Sequence, residues 1–371
     1  MPELYGRSFT KTELLKRAGA ISQFGGIKRY ELTEGRSKGV EAAEVRTGTG
    51  FMFRVLPGRG MDISHAEFRG APLAWLSQTG ESAPEYFEPE GTGWLRSFFG
   101  GLVTTCGLGN IGRPSEDGDE KLGLHGRISN IRAENVSAAG RWEGDDYIMA
   151  VSGRVVEARV FGENVSLTRT VSAKLGSSIL RIHDRVENEG FRTEPHMILY
   201  HVNAGFPVVD KGSELLSATE SVSPRGEDAA GEAELYAEFS SPAADYNERV
   251  YYHDIRAAGD GSSAVAVVNR NFNGGEGLGL FLRYNTAELP YFFEWKMNGE
   301  GTYAVGIEPA NALGEGRGVE RGQGRLQFLG PGEKRDYNLE IGVLESAADI
   351  DGFEAELKDF RARGVPESQA G

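Results

Sequence analysis

A histidine and a glutamate in two separate strand-like runs carry the most chemistry in this chain. In Met197 to Pro207, MILYHVNAGFP, side chains alternate across an extended backbone. Met197, Leu199, His201 and Asn203 therefore share one face, and Ile198, Tyr200, Val202 and Ala204 the other. In Tyr303 to Asn311, YAVGIEPAN, Glu308 shares its face with the small residues Ala304 and Gly306, which leave room for a ligand. Gly205-Phe206-Pro207 and Pro309 should end the two strands, since proline has no donor for a ladder. His201 and Glu308 are then expected near strand mouths. An imidazole that titrates near neutrality and a carboxylate are the groups needed to move two protons in one step. A core histidine with satisfied nitrogens is the plain alternative.

Other polar residues stand in turn-like, glycine-rich settings. Arg59 and Asp62 lie in PGRGMDI (Pro57 to Ile63) and suit either a donor fork for hydroxyls or carboxylates, or a buried ion pair fixing the turn. His125 lies in LGLHGR (Leu122 to Arg127), where glycines let the backbone approach a ligand closely; a turn histidine bonded to backbone is the alternative. Arg127 suits the same site or solvent. Lys296 alternates with Glu294 and Phe292, opposite Tyr291, Phe293 and Trp295. The aromatic face reads as core, with Trp295 as a sugar platform the alternative, and the charged face reads as solvated or salt-bridged.

The order LGLHGR, YHVNAGFP, GIEPAN resembles the aldose 1-epimerase (galactose mutarotase-like) superfamily. With PGRGMDI and EWKMNGEG (Glu294 to Gly301), it is most similar to a little-characterised branch. The resemblance spans Phe51 to Leu344. It implies a galactose mutarotase-like domain over residues 1–371 that interconverts sugar anomers without a cofactor. In that scheme Glu308 removes the anomeric hydroxyl proton and His201 protonates the ring oxygen. His125, Arg59, Asp62, Arg127, Asn203, Lys296 and Asn311 would contact a monosaccharide or sugar derivative. Asn203 stands where an aromatic residue is usual, and Arg127 where a second glycine is usual. Two other readings stay open. One is an isomerase or lyase on a keto or acidic sugar, with Arg59, Arg127 and Lys296 stabilising an enolate or holding a carboxylate. The other is a non-catalytic carbohydrate-binding protein.

The surrounding elements must position these groups. The chain has 371 residues, and its 52 glycines are spread between short alternating runs, the pattern of many turns between many strands. Strands are expected at Phe51 to Leu56, Tyr147 to Phe161, Asn164 to Lys174, Ser178 to Asn188, Met197 to Ala204, Ala264 to Asn269, Gly279 to Tyr284, Tyr291 to Lys296, Tyr303 to Glu308, Arg325 to Leu329 and Tyr337 to Leu344. This composition predicts an all-β, large antiparallel sandwich, which the resemblance sharpens to a β-supersandwich with a few peripheral helices. Thr10 and Glu13 form a capping-box pattern before a helix at about 10–18. Phe353, Leu357 and Phe360 recur at helical spacing within a second helix at about 349–363. The stretch 214–244 is acidic and poorly periodic and reads as an excursion. The tail after Arg363 is expected to fray.

Composition narrows the partners. Net charge is −15 with no basic block, against a nucleic-acid footprint. No apolar run is long enough to span a bilayer, and the first residues do not read as a signal peptide. The single cysteine, Cys106, allows no intrachain disulfide and reads as a buried small hydrophobe. These features fit a cytoplasmic protein. His65, His183, His196 and His253 show no zinc-ligand spacing, so no metal is signalled. Gly275 to Phe281 lacks the Lys-Ser/Thr of a phosphate loop.

Overall fold

A computed structural model describes residues 1–363. Residues 364–371, on which the expectation of a frayed tail falls, lie outside the described residues. Two antiparallel sheets dominate, one of twelve strands and one of eight. The strands of the larger sheet that matter here are β1 (Gly26–Glu31), β2 (Glu41–Arg46), β3 (Phe51–Leu56), β4 (Asp62–Phe68), β5 (Val103–Leu108), β6 (Glu194–Gly205), β7 (Thr219–Arg225), β8 (Arg249–Ile255), β9 (Tyr291–Gly299) and β10 (Thr302–Ala310). Their spatial order is β7-β8-β9-β10-β6-β5-β4-β3-β2-β1.

One face of this sheet closes against the eight-stranded sheet. Phe53, Val55, Ile63, Ile198, Tyr200, Val202, Val305 and Ile307 share a buried cluster with Val151, Leu167, Ile182, Leu339 and Ile341 of the smaller sheet. The alternation explains the choice, because these residues occupy one parity of their strands. The opposite parity of β6 is also covered. Met197 and Leu199 enter a second cluster with Trp94, Phe98, Cys106 and Phe293. The central strands are thus buried on both faces.

A buried charged group links the sheets. Arg169 of the smaller sheet bonds Asp184 through two nitrogens at 2.8 and 2.6 Å and lies 3.3 Å from Asp62 Oδ1. Tyr200 donates to Asp184 Oδ2 at 2.7 Å, and the Thr105 amide and hydroxyl donate to Asp62 Oδ1 at 3.0 and 2.7 Å. Buried charges persist where they are paired and hydrogen-bonded in this way.

The expected all-β architecture is present, with differences in detail. Stretch 214–244 opens with the strand Glu214–Ser217 and strand β7, both at sheet edges, and from residue 226 on it is an excursion with the short helix Glu227–Ala230 before strand β8. Its weak alternation reflects an edge strand whose side chains are mostly half-buried or exposed. Strand β10 continues through Pro309 to Ala310, and β6 through His201 to Gly205, so neither site residue lies at a strand end. The capping box closes Lys11–Leu15, with Glu13 N donating to Thr10 Oγ1 at 3.2 Å. The C-terminal helix is Ala347–Arg363. Among the described residues, no helix is long and apolar enough to cross a membrane.

Candidate active site

The register of the two central strands brings His201 and Glu308 together. Leu199 pairs with Ala310 and Val202 with Ile307, so His201 stands opposite Glu308 on the same face. The ladder skips this step, where Pro309 has no N–H to give. His201 Nε2 lies 3.1 Å from Glu308 Oε1, and the two side chains are only 5% and 6% exposed. The contact is close but not aligned as a hydrogen bond. Glu308 Oε1 and His201 Nδ1 make no hydrogen bond to any described residue. Buried polar atoms without partners are rare, and such atoms concentrate where a ligand supplies the partner.

The pair lines a cavity of 510 Å³, a size usual for small-molecule sites. Its wall is largely aromatic. The His201 ring centroid is 5.1 Å from Phe98, 5.5 Å from Trp295 and 5.9 Å from His125, and Trp94 lies 4.6 Å from His125. Trp75 packs on Trp295 at 5.9 Å. Rings of this kind offer faces to the C–H side of a sugar while polar edges take its hydroxyls. His125 has a left-handed backbone, φ 57°, and its Nδ1 accepts from the Gly112 amide at 3.3 Å, leaving Nε2 for a ligand. Arg225, Glu248 and Arg113 bring further charge to the wall, beside hydroxyl and amide side chains such as Ser77 and Gln78.

Burial sets the protonation of the pair. It pushes the Glu308 carboxyl well above the usual range and lowers the His201 imidazole to about 3. Both shifts favour uncharged groups. This corrects the expectation of a standing carboxylate. The carboxyl–imidazole and carboxylate–imidazolium forms differ only in where one proton sits, so the pair keeps one donor and one acceptor across a wide pH range. Burial also drives His125 well below its ordinary value, helped by His201 and Arg225.

The other sequence candidates are not brought to this cavity. The Arg59 guanidinium is buried and donates to the carbonyls of Ser129 at 2.7 Å, Ser97 at 3.2 Å and Ser82. Asp62 belongs to the Arg169 group between the sheets. Asn203 donates to the Gly101 and His201 carbonyls, both at 2.9 Å, and Asn311 accepts from the Ile198 amide at 2.7 Å. Both asparagines therefore hold β6 in place rather than line the wall. Lys296 is buried and donates to the carbonyls of Leu235, Tyr236 and Glu238, pinning the 214–244 stretch to the sheet. Arg127 is exposed on a second cavity of 670 Å³, beside Glu157 and away from His201 and Glu308. These side chains were misplaced because a turn or alternation pattern does not say which of two covered faces a residue enters. Strand β9 is the clearest case. Glu294 and Lys296 lie inside, with Glu294 3.4 Å from His253, while Phe293 and Trp295 line the cavity.

Sequence reasoning missed Trp75, Trp94, Phe98, Arg225 and Glu248. The tryptophans fall in glycine-, serine- and threonine-rich connections with no strand period, which is itself a hint that they are placed for binding. Among the described residues, no group of three or more His, Cys, Asp or Glu is arranged to hold a metal ion.

Comparison with known proteins gives this site a family. The model for a domain of unknown function, DUF4432, matches residues 37–343. The chain belongs to the DUF4432 family. No curated protein matches this DUF4432 member. Among solved structures, it resembles a provisionally assigned aldose 1-epimerase from Klebsiella pneumoniae, with a TM-score of 0.86 at 23% identity over 93% of this chain and 91% of that one. A galactose mutarotase-like protein from Clostridium acetobutylicum gives 0.61 at 13% identity over 86% and 99%. Galactose 1-epimerase from Lactobacillus acidophilus gives 0.52 at 12% identity over 87% and 99%. At these identities the likeness establishes the fold alone, a galactose mutarotase-like β-sandwich.

Proposed function

We propose that this DUF4432 protein is a carbohydrate-active isomerase that interconverts the anomers of a sugar by opening and reclosing its ring. The observation that carries the reading is the buried His201–Glu308 contact of 3.1 Å within an aromatic-walled cavity. Ring opening removes the proton from the anomeric hydroxyl and adds one to the ring oxygen, and closing on the other carbonyl face reverses both transfers. No atoms or electrons are exchanged with a co-substrate. A pair sharing one proton supplies the donor and the acceptor together. As the family resemblance implies, Glu308 takes the hydroxyl proton and His201 serves the ring oxygen. Sugar hydroxyls replace the hydrogen bonds that burial denies the ionised carboxylate, and His125 Nε2 is available to the oxygen that gains charge on opening.

Asn203 and Asn311 support this reading by fixing β6, and Gly306 by leaving space beneath the carboxyl. The enolate-stabilising role expected of Arg59, Arg127 and Lys296 loses its basis, because none of them lines the cavity. Anomer exchange followed by NMR over a panel of neutral, acidic and deoxy sugars, with wild type beside Glu308→Gln, tests the proposal. Acceleration on at least one sugar that is lost in the variant is expected. Binding without acceleration on every sugar would refute the isomerase reading and leave a binding protein.

A further inference from the structure

A row of residues crosses the larger sheet on the cavity side. Asn203 of β6 pairs with Gly306 of β10, Gly306 with Trp295 of β9, Trp295 with Val250 of β8, and Val250 with Arg225 of β7. Arg225, Val250 and Trp295 all line the 510 Å³ cavity together with His201 and Glu308. Three strand spacings separate the backbones of Arg225 and Gly306, about 14 Å. The Arg225 side chain covers part of this distance, toward Trp295. One of its nitrogens donates to Glu248 Oε1 at 3.2 Å, and the other oxygen of Glu248 accepts from the Trp295 indole at 2.9 Å. The guanidinium therefore stands beside the indole edge, roughly one to two strand spacings, ~5–10 Å, from the Glu308 carboxyl. That is the span from the anomeric carbon of a hexose to a substituent on its last carbon.

The surroundings of Arg225 suit an anion. Its side chain is 21% exposed, whereas its partner Glu248 is 57% exposed on the rim. A guanidinium carries five N–H donors in a planar fork and binds carboxylate or phosphate through two parallel bonds. Beyond Glu248 the guanidinium also bonds the Tyr252 hydroxyl, and two such contacts out of five donors leave donors for a ligand. A second arginine, Arg113, lines the same cavity, 59% exposed and 3.7 Å from Glu315.

We propose that Arg225 sets the substrate class of this site as a sugar bearing an anionic group, carboxylate or phosphate, at the end distant from its anomeric carbon. The proposal rests on His201 and Glu308 being the anomer-exchanging pair. The anion displaces solvent and Glu248 from the guanidinium fork, and the reducing end reaches the pair across Trp295.

The test compares one hexose with its uronate and its 6-phosphate, measuring kcat/KM for anomer exchange by NMR and affinity by calorimetry. Wild type should favour an anionic sugar over the neutral one by tenfold or more, and the better of the two anions identifies carboxylate or phosphate. Arg225→Gln should reduce kcat/KM for the anion at least tenfold more than for the neutral sugar, through KM, and Arg225→Lys should restore part of that preference. Glu248→Gln keeps an acceptor for Trp295 and removes the competing charge, so it should raise the anion preference severalfold. Equal losses on neutral and anionic sugars in Arg225→Gln, or a wild-type preference for the neutral sugar, would overturn the proposal while exchange itself upholds the isomerase reading. If no sugar exchanges, the isomerase reading fails and the proposal, which rests on it, falls with it; an Arg225-dependent anion affinity would then describe a binding protein.

Discussion

Gly306 lies directly under the Glu308 carboxyl. A Cβ at position 306 would collide with Glu308 Oε1 and lie 3.0 Å from His201 Cε1. The glycine is needed for space rather than for backbone freedom, since its φ is not in the left-handed region. Gly306→Ala should displace the carboxyl from His201 and lower kcat for anomer exchange more than about tenfold, at a stability cost of about 1–3 kcal/mol from overpacking. Urea unfolding beside steady-state rates separates the two effects, and an unchanged kcat would show that the close placement of the pair is not used.

Glu308→Gln and His201→Asn each remove one end of the proton-sharing pair while keeping polar shape. Each should reduce turnover by about 10²–10⁴-fold and leave the thermal midpoint within a few degrees. Undiminished rates in either variant would remove the proposed mechanism.

The pH profile should be broad. The pair is active while it holds one proton. On the acid side the second proton arrives only near the depressed His201 value of about 3, and on the alkaline side the last proton leaves only at the raised Glu308 value. Rates should therefore not fall as pH is lowered through the ordinary histidine value of about 6.5. An acid limb centred on that ordinary value would show that burial does not govern the site.

Arg59 is expected to matter for stability rather than for sugar affinity. Burial lowers its guanidinium to about 10, and it satisfies three backbone carbonyls. Arg59→Leu should destabilise by about 3–5 kcal/mol, as for a broken buried polar group. KM measured on the folded fraction should stay near wild type. A raised KM with full stability would return Arg59 to the binding site.

His196 gives a stability signature free of the active site. It is fully buried, its Nε2 lies 2.6 Å from the Tyr337 hydroxyl, and burial lowers its pKa to about 3. The folded state refuses a proton that the unfolded chain accepts below about pH 6.5, so stability falls as pH drops from there toward 3. Between pH 6.5 and 5 this contributes a loss of about 2 kcal/mol. His196→Phe should lack that component, so chemical denaturation at the two pH values should show a smaller decline in the variant. Equal declines would mean that His196 is protonated in the fold.

Much of the sandwich was legible because alternation is a local property. Strands such as Phe51–Leu56 and Asn164–Lys174 fall where the pattern of their own residues places them. Strands Val103–Leu108, fully buried along its length, and Glu134–Glu143, largely exposed, lack a clean two-residue period and were not anticipated. The same logic put His201 with Leu199 and Glu308 with Gly306.

What the sequence by itself determined was parity: which residues of a strand share a face, and that one imidazole and one carboxyl each share theirs with groups that leave room or pack. The tertiary structure alone decided which face is which. Because the central strands are covered on both sides, the charged parity of β9 went to the interior, where His253 and three backbone carbonyls receive it, and the aromatic parity went to the cavity. The structure also decided which distant residues meet. Register across β6, β10, β9, β8 and β7 aligns Asn203 with Arg225, and no local pattern encodes it, since it is set by pairing between segments far apart in the chain.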